Sequence, residues 1–413
     1  MRILFIHQNF PGQFRYLALA LAARGHEVTA MTMAGKAPER WQGIRLVSYR
    51  AARGSTPGIH PWVADIESKT IRGEACFRAC LNMRAEGYSP DLIVAHPGWG
   101  ESLFIKKVWP AAKLGIYCEF FYRHEGADIA FDPEFPVKDA DGNGCRIQMK
   151  NLNNMLHFEF ADAGLSPTQW QASTFPEPFR SRISVMHDGI DTSVVTPNPA
   201  VSFSLDDGRE LTCNDEVITF VNRNLEPYRG FHVFMRALPG LLKRRPNAQV
   251  LIVGGDDVSY GARPAEGGSW KELLTGQVRP LMADEEWNRI HFLCKIPWPR
   301  FIALLQRSTV HVYLTYPFVL SWSLLEAMSA GCAIVASDTA PVREVITHDE
   351  TGRLVDFFDT GSLAGAVSDL LDDPSARQRL GTRARGFVQE RYDLRTICLP
   401  GQLAWVARLA GSE

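Results

Sequence analysis

The chain has 413 residues, 46% of them hydrophobic and 22% charged, with a formal net charge of −2. That length suits two domains of roughly 200 residues, each able to bury its own core, and the near-neutral balance gives no reason to expect nucleic acid as a partner. No apolar run reaches the ~18 residues a membrane span requires, and the eight cysteines show no zinc-site spacing and fall largely in apolar surroundings, which points to a reducing compartment.

Strand and helix patterns alternate from the first residue. Ile3–His7 predicts a buried strand that runs into Pro11-Gly12, unlike a signal peptide. Residues 14–24 predict a helix with apolar positions at Tyr16, Leu17, Leu19, Ala20 and Leu21, stopped by Gly25. Strands follow at 27–33, 45–49 and 91–95, with Cys76 and Cys80 four apart on an intervening helix. Another strand is expected at 114–121, then an irregular segment from Tyr122 to about Cys145, then strands at 163–166 and 183–187. His187-Asp-Gly-Ile-Asp191, two prolines and a polar run to Asp215 read as a linker. The second set comprises strands at 217–221, 249–253, 290–293, 310–314 and 333–337. Its helices are expected at 231–244, at 299–307 and from Trp322, with a glycine-rich polar loop over 254–268. The tail from 374 to 410 is helical with a break at Pro400-Gly401. Repeated units of this kind predict an α/β architecture of two doubly wound parallel sheets, over 1–195 and 196–394.

Open parallel sheets bind ligands beyond the carboxyl ends of their strands, so the residues there are the candidates. After the 217–221 strand come Arg223 and Arg229, two cations six apart that suit a diphosphate clamp; the alternative is an exposed turn with solvated charges. After the 310–314 strand, Ser321, Trp322, Ser323 and Leu324 open a helix whose free N–H groups and dipole suit a phosphate, and Ser321 equally suits a plain N-cap. Glu326 lies one turn further in, within reach of a ribose.

In the first half, Gly12 lets the backbone approach a phosphate or sugar, or simply makes a tight turn. His96 and Trp99 follow another strand as acceptor-side candidates, Trp99 being either cleft wall or core. Glu119, expected inside an apolar strand, is costly there unless paired or functional, and with His124 it is the catalytic candidate of this half. Tyr122 and Asp132 complete the acceptor side, Asp132 sitting in a rigid loop or a surface turn.

Thr315-Tyr-Pro-Phe-Val-Leu-Ser-Trp-Ser-Leu-Leu-Glu326-Ala-Met-Ser-Ala-Gly331-Cys-Ala-Ile-Val-Ala resembles a pattern of retaining GT-B glycosyltransferases of family 4, Glu-Gly-Phe-Gly-Leu-Pro-x-x-Glu-Ala-Met-Ala-x-Gly-x-Pro-Val-Val-Ala. His187-Asp-Gly-Ile-Asp191 resembles the Asn-Gly-Val-Asp element that joins their two domains. The resemblance implies two facing Rossmann-like domains with a cleft between them and a C-terminal helix, about 395–413, that packs back on the first. It makes Glu326 the ribose ligand and a catalytic-site residue, Arg223 and Arg229 the diphosphate clamp, and the backbone at Ile296 in Lys295-Ile296-Pro297 the reader of the nucleobase. Gly12 joins the donor side. The implied reaction is sugar transfer from a nucleoside diphosphate sugar, UDP favoured over GDP, to an acceptor hydroxyl with retention. No cofactor or metal is implied, and no Asp-x-Asp is placed to hold an ion. The implied acceptor is a glycan, lipid-linked or small molecule, and the implied place the cytoplasm or the inner face of the membrane. The chain departs from the pattern at Phe318, where the family has its first Glu. That leaves open a degenerate nucleotide-sugar or glycan-binding protein and, as a third class, a sugar-nucleotide epimerase.

Overall fold

Near-continuous apolar runs such as Ile3-Leu-Phe-Ile and Ile218-Thr-Phe-Val form strands buried on both faces, which is what parallel sheets covered by helices require. The computed structural model describes residues 1–35, 38–137 and 139–411. It divides the chain into two units, Met1–Gly189 with Arg395–Glu413, and Ile190–Leu394.

The first unit holds strands β1 (Arg2–Ile6), β2 (Glu27–Thr32), β3 (Arg40–Trp41), β4 (Ile44–Ser48), β5 (Leu92–Ala95), β6 (Lys113–Tyr117), β7 (Ala163–Ser166) and β8 (Ile183–Val185). Their order in the sheet is β3-β4-β2-β1-β5-β6-β7-β8, parallel throughout except the β3–β4 pair. The order reverses between β1 and β5, so that is the switch point of this sheet. Ile3, Phe5, Leu92 and Val94 face one core cluster, with Phe14, Leu17 and Trp405. Leu4, Ile6, Ile93 and Ile116 face the other, with Cys76, Cys80 and Phe179.

The second unit starts with a small hairpin, β9 (Phe203–Ser204) and β10 (Glu210–Leu211). Its main strands are β11 (Val217–Asn224), β12 (Gln249–Gly255), β13 (Ile290–Phe292), β14 (Val310–Tyr313), β15 (Ala333–Ser337) and β16 (Arg353–Val355). They run parallel in the order β13-β12-β11-β14-β15-β16, with the switch point between β11 and β14.

Several sequence expectations are corrected. The strand expected over 114–121 ends at Tyr117, so Glu119 lies beyond the strand and not within it. Ala140–Phe160 is a helix, capped by the Asp139 carboxylate accepting from the Gly142 N–H at 2.9 Å. Its inward face carries Asn143, Asn151, Asn153, Asn154 and His157, and polar residues at helical spacing give no apolar period to read. The boundary falls at Gly189/Ile190, six residues before the expected one. Ile190 and Leu394 exchange backbone hydrogen bonds with Tyr392 and Ile190, and the Thr192 hydroxyl donates to Asp393 at 2.6 Å. The polar run to Asp215 is no plain linker, since Phe203, Leu205 and Leu211 enter the core of the second unit. At the tail the break is a π-helical turn at Leu394–Cys398, and Pro400 sits in the first turn of the Leu399–Ala410 helix, where its missing N–H costs nothing. That last helix packs in the first unit: Gln402 donates to the His187 carbonyl at 2.9 Å, and a side chain at Gly115 would collide with Trp405. Among the described residues no helix is long and apolar enough to cross a membrane.

Candidate active site

Each unit brings some of its sequence-predicted polar residues to the strand ends around the switch point of its sheet, where two neighbouring strands send their following loops to opposite sides and leave a crevice.

In the second unit, β11 runs on past the expected strand end and carries Arg223 as its next-to-last residue, the loop after it supplies Glu226 and Arg229, and the loop after β14 leads into the Trp322–Ser329 helix. Arg223 is exposed. Arg229 is buried and binds the β14 loop: it donates to the Thr315 hydroxyl at 2.8 Å and the Val319 carbonyl at 3.0 Å, with its guanidinium 5.2 Å from the Tyr260 ring centroid. The two arginines therefore occupy different environments, and Arg229 shapes the loop that a diphosphate would meet. Ser321 caps the helix. Its Oγ accepts from the Ser323 N–H at 3.4 Å and lies 2.9 Å from the Ser323 hydroxyl, while its own N–H donates to the Tyr313 hydroxyl at 3.0 Å. Trp322 is exposed and Leu324 is buried in the core. Glu326, one turn in and half-buried, accepts from the Trp298 indole N–H at 2.9 Å; burial raises its pKa and the indole bond opposes this. Ile296 packs on the core of the unit, two residues ahead of Trp298. The sequence reading missed Glu226, whose fully buried carboxylate accepts from the backbone N–H groups of Ser259, Tyr260 and Gly261 at 3.0–3.2 Å. It ties the glycine-rich loop, expected as a free segment, to the end of β11.

In the first unit, His7 follows β1, His96 follows β5, Tyr117 ends β6, Glu119 lies just past it, and Asp188 follows β8. Four rings pack together: His96 stacks on Tyr117 at 5.3 Å and lies 4.5 Å from Trp99, and His7 meets His96 and Trp99 edge-on at 5.3 and 5.0 Å. The Tyr117 hydroxyl donates to Asp188 at 3.0 Å. Backbone N–H groups fix the histidine tautomers, Asn9 donating to His7 Nδ1 at 3.0 Å and Gly98 to His96 Nδ1 at 3.2 Å. Each ring proton therefore sits on Nε2. That of His7 points to Gln13 Oε1 at 2.8 Å, and that of His96 faces Glu119 Oε2 at 3.6 Å. Burial and then the neighbouring His96 push the pKa of His7 down to about 3, so it is a neutral donor. Gly12, at φ +46°, lies against the His7 imidazole, and a side chain there would occupy the ring's place.

Trp99 is half-buried within this cluster, serving as both packing and wall. The Glu119 side chain is 42% exposed, so the expectation of a carboxylate buried in a strand is corrected to one at the strand end beside a buried histidine. His124 does not join it. It is exposed, seven residues beyond the end of β6, with the Glu125 carboxylate 4.0 Å from its Nε2. Tyr122 is held through its backbone by the Asn151 amide, at 3.0 and 2.7 Å. Asp132 is buried and accepts from the Glu134 N–H at 2.9 Å. His7, Tyr117 and Asp188 were missed. The rule that flagged His96, a polar residue directly after a buried strand, applies equally to His7.

A buried N–H donor beside a half-exposed carboxylate, as in His96–Glu119, suits sugar hydroxyls, which both donate and accept. A capped helix end followed by an acid one turn in suits a phosphate next to a ribose.

Comparison with known proteins gives concordant results. Residues 24–195 match the model of the glycosyl transferase family 4 group, and residues 207–387 that of glycosyl transferases group 1. The chain is 23% identical to glycogen synthase of Mycobacterium tuberculosis over 438 positions, covering 100% of this chain and 96% of that one. It is 31% identical to the D-inositol 3-phosphate glycosyltransferase of Corynebacterium efficiens over 209 positions, 49% of this chain and 46% of that one. Among solved structures, sucrose-phosphate synthase from Thermosynechococcus elongatus superposes with a TM-score of 0.72 at 19% identity, over 100% of both chains. Anabaena HepE in complex with UDP and glucose superposes with a TM-score of 0.67 at 16% identity, over 99% of both.

Proposed function

This chain belongs to the GT-B glycosyltransferases of the family 4 and group 1 type, and on that premise we propose that it moves a sugar from a UDP-sugar, in preference to a GDP-sugar, to an acceptor hydroxyl with retention of configuration. It does so without a metal ion, in the making of a glycan, polysaccharide or glycoconjugate. The acceptor is a glycan, a lipid-linked molecule or a small molecule, and the work is done in the cytoplasm, at the inner membrane face where the acceptor is lipid-linked.

The observation that carries this reading is the second unit's switch point. The Ser321-capped helix carries Glu326 one turn in and opens from a loop held by the buried Arg229. The helix end and the exposed Arg223 stabilise the negative charge that develops on the departing diphosphate. The Glu326 carboxylate takes the ribose hydroxyls, with Trp298 fixing one of its oxygens. On the acceptor side His96 Nε2–H and Glu119 orient sugar hydroxyls. The HepE complexes with UDP and with UDP-glucose support uridine as the base.

The test is release of nucleoside diphosphate from UDP-glucose, GDP-mannose and ADP-glucose with a panel of acceptors. Donor-dependent release that is lost in Glu326→Ala is the expected result; full activity in that variant refutes the site.

Phe318 favours a second reading. It is buried, edge-on to Tyr260 at 5.0 Å and to Tyr228 at 5.8 Å, where the resemblance calls for a glutamate. An apolar ring there fits a protein that holds a nucleotide sugar without turning it over. Donor binding by calorimetry, with no transfer to any acceptor of the panel, supports that alternative.

A further inference from the structure

The backbone that carries Glu119 runs past the last paired residue of β6, so its polar groups need partners other than a neighbouring strand. Side chains supply them. Asn151 accepts from the Tyr122 N–H at 3.0 Å and donates to the Tyr122 carbonyl at 2.7 Å, and Asn154 donates to the Phe120 carbonyl at 3.3 Å. In addition, Gln171 of the short Gln169–Ser173 helix donates to the Glu119 carbonyl at 2.7 Å, and the Phe121 N–H donates to the Thr174 hydroxyl at 3.0 Å.

The Ala140–Phe160 helix that carries Asn151 and Asn154 also holds the loop after β5, which begins at His96. Asn153 donates to the Pro97 carbonyl at 2.8 Å. His157 accepts at Nε2 from the Ser102 hydroxyl at 2.8 Å, because its Nδ1–H is given to the Asn153 carbonyl at 2.7 Å. Burial pushes the His157 pKa down to about 4, so the ring stays neutral and keeps that pattern. The Ala64–Ala85 helix leaves this loop no slack, since a side chain at Gly73 would come within 2.8 Å of the Gly100 carbonyl. Asn153 and His157 are four apart and Asn151 and Asn154 three, so they form two neighbouring rows on one helix, one row for each loop. β5 and β6 are adjacent strands, and the one helix therefore sets how their loops stand to each other.

Stability alone would not select this face. Asparagine is a weak helix former, and buried amides cost free energy unless every group is bonded; Asn153 Oδ1 has no partner among the described residues. Apolar side chains would cover the sheet without that cost. What the amides add is direction, because a bond to the backbone fixes the course of a loop whatever side chains the loop presents.

We propose that Asn151, Asn153, Asn154 and His157 are positioning residues of the transfer step, setting the 3.6 Å separation of His96 Nε2 and Glu119 Oε2. This rests on the glycosyltransferase reading, in which those two groups orient the acceptor hydroxyl. One hydroxyl oxygen has to reach both at an ordinary length of about 2.8 Å, so a small shift of either loop loses one of the two bonds.

The experiment uses the full chain. Asn154→Leu deletes the bond to the Phe120 carbonyl at nearly constant volume, and Asn154→His keeps a donor there. With UDP-glucose and the best acceptor of the panel, Asn154→Leu is expected to lower kcat for transfer about 10- to 100-fold while UDP affinity and donor hydrolysis without acceptor stay within about 2-fold. Asn154→His recovers most of the loss. A loss of folded protein lowers transfer and hydrolysis together, so their ratio reports positioning. In a Glu119→Gln background Asn154→Leu should lower transfer by less than about 3-fold, because the group it positions is already gone; losses that simply multiply overturn the proposal. A second readout needs no turnover and so separates this proposal from the reaction. In protein with isotope-labelled histidine, the His96 Nε2 resonance is expected to shift both in Glu119→Gln and in Asn154→Leu. An unmoved His96 signal in Asn154→Leu overturns the positioning role even where transfer is found, and a shifted one upholds the geometry even where no transfer is found. Should Asn154→Leu fail to fold, Ser102→Ala, which removes only the hydroxyl that donates to His157, takes its place with the same readouts.

Discussion

In residues 190–394 side chains hold the site through the backbone. Glu226 takes three N–H groups of one loop, Arg229 takes a carbonyl of another, and the Tyr313 hydroxyl takes the N–H of the helix cap. In residues 1–189 the histidines of the site are held ring against ring, with His7, His96 and Trp99 in mutual contact and Tyr117 stacked on His96. A loop fixed through its backbone keeps its shape while the side chains that face a ligand vary. A ring cluster has no such separation, since each member is both packing and surface. The first arrangement suits a part that every donor shares, and the second a part that differs with the acceptor.

The comparison is sharpest at the two arginines of the second unit. Arg223→Ala is expected to lower donor turnover by about 10²- to 10³-fold, the typical loss of a charge aimed at a developing anion, and Arg229→Ala to lower it through the loop that Arg229 holds. Only Arg229→Ala should also destabilise the fold, by about 3–5 kcal/mol, because it leaves the Thr315 hydroxyl and Val319 carbonyl without their buried partner. Thermal unfolding beside a turnover assay separates the two. Equal stability of both variants would mean that Arg229 does not build the loop.

In the first unit packing and function should fail together. His7→Ala removes a ring from the cluster and leaves the Gln13 and Asn9 groups unpaired, with an expected loss of about 2–4 kcal/mol. Denaturant unfolding measures it, and acceptor KM should rise in the same variant. A His7→Ala protein as stable as the parent would break the contrast between the units.

Glu101 gives this unit a pH dependence. Its pKa is raised from the usual 4.5 to about 7 by burial, so between those values the folded state keeps a proton that the unfolded state has released. Stability therefore falls as pH rises from about 4.5 to about 7, by about 3 kcal/mol in all, and stays low above. Glu101→Gln, which cannot ionise, should flatten that fall and be the more stable form at pH 8. Unfolding curves between pH 5 and 8 test it, and an unchanged slope in the variant would assign the dependence elsewhere.

These contrasts also explain what could be read from the chain alone. The second unit's strands β11 to β15 and the Phe231–Arg244 helix followed from unbroken apolar runs and amphipathic spacing, and Ser321 caps the helix that follows β14, with Glu326 one turn further in. Its candidate residues form a short linear pattern. The ring cluster, with the Asp188 carboxylate that takes the Tyr117 hydroxyl, instead draws His7, His96, Tyr117 and Asp188 from strand ends far apart in sequence, and no local period links them. The Ala140–Phe160 helix was missed because its buried face, Ile147 apart, is asparagine and histidine. Glu119 was misplaced because Cys118-Glu-Phe-Phe continues the apolar character of β6 after its pairing has ended. Glu226 and Trp298 carry no signal of their own, since their partners lie about 30 residues away.

Trp298 offers the smallest effect and the finest test of backbone-held against side-chain-held geometry, because it is one direct side-chain hold among the donor-side groups. Its indole N–H meets Glu326 at 2.9 Å, while the rest of the side chain is 48% exposed. Trp298→Phe keeps an aromatic face and deletes that bond. An exposed hydrogen bond to a carboxylate contributes only about 0.5–1.5 kcal/mol, so donor KM should rise about 2- to 10-fold with kcat little changed. The same bond lowers the Glu326 pKa against the effect of burial. Without it the carboxyl protonates at higher pH, and as the ionised form accepts the ribose hydroxyls, the acid limb of kcat/KM should move upward. A higher KM with an unmoved acid limb would mean that Trp298 acts by stacking alone, and that Glu326 is positioned by its helix and not by its neighbour.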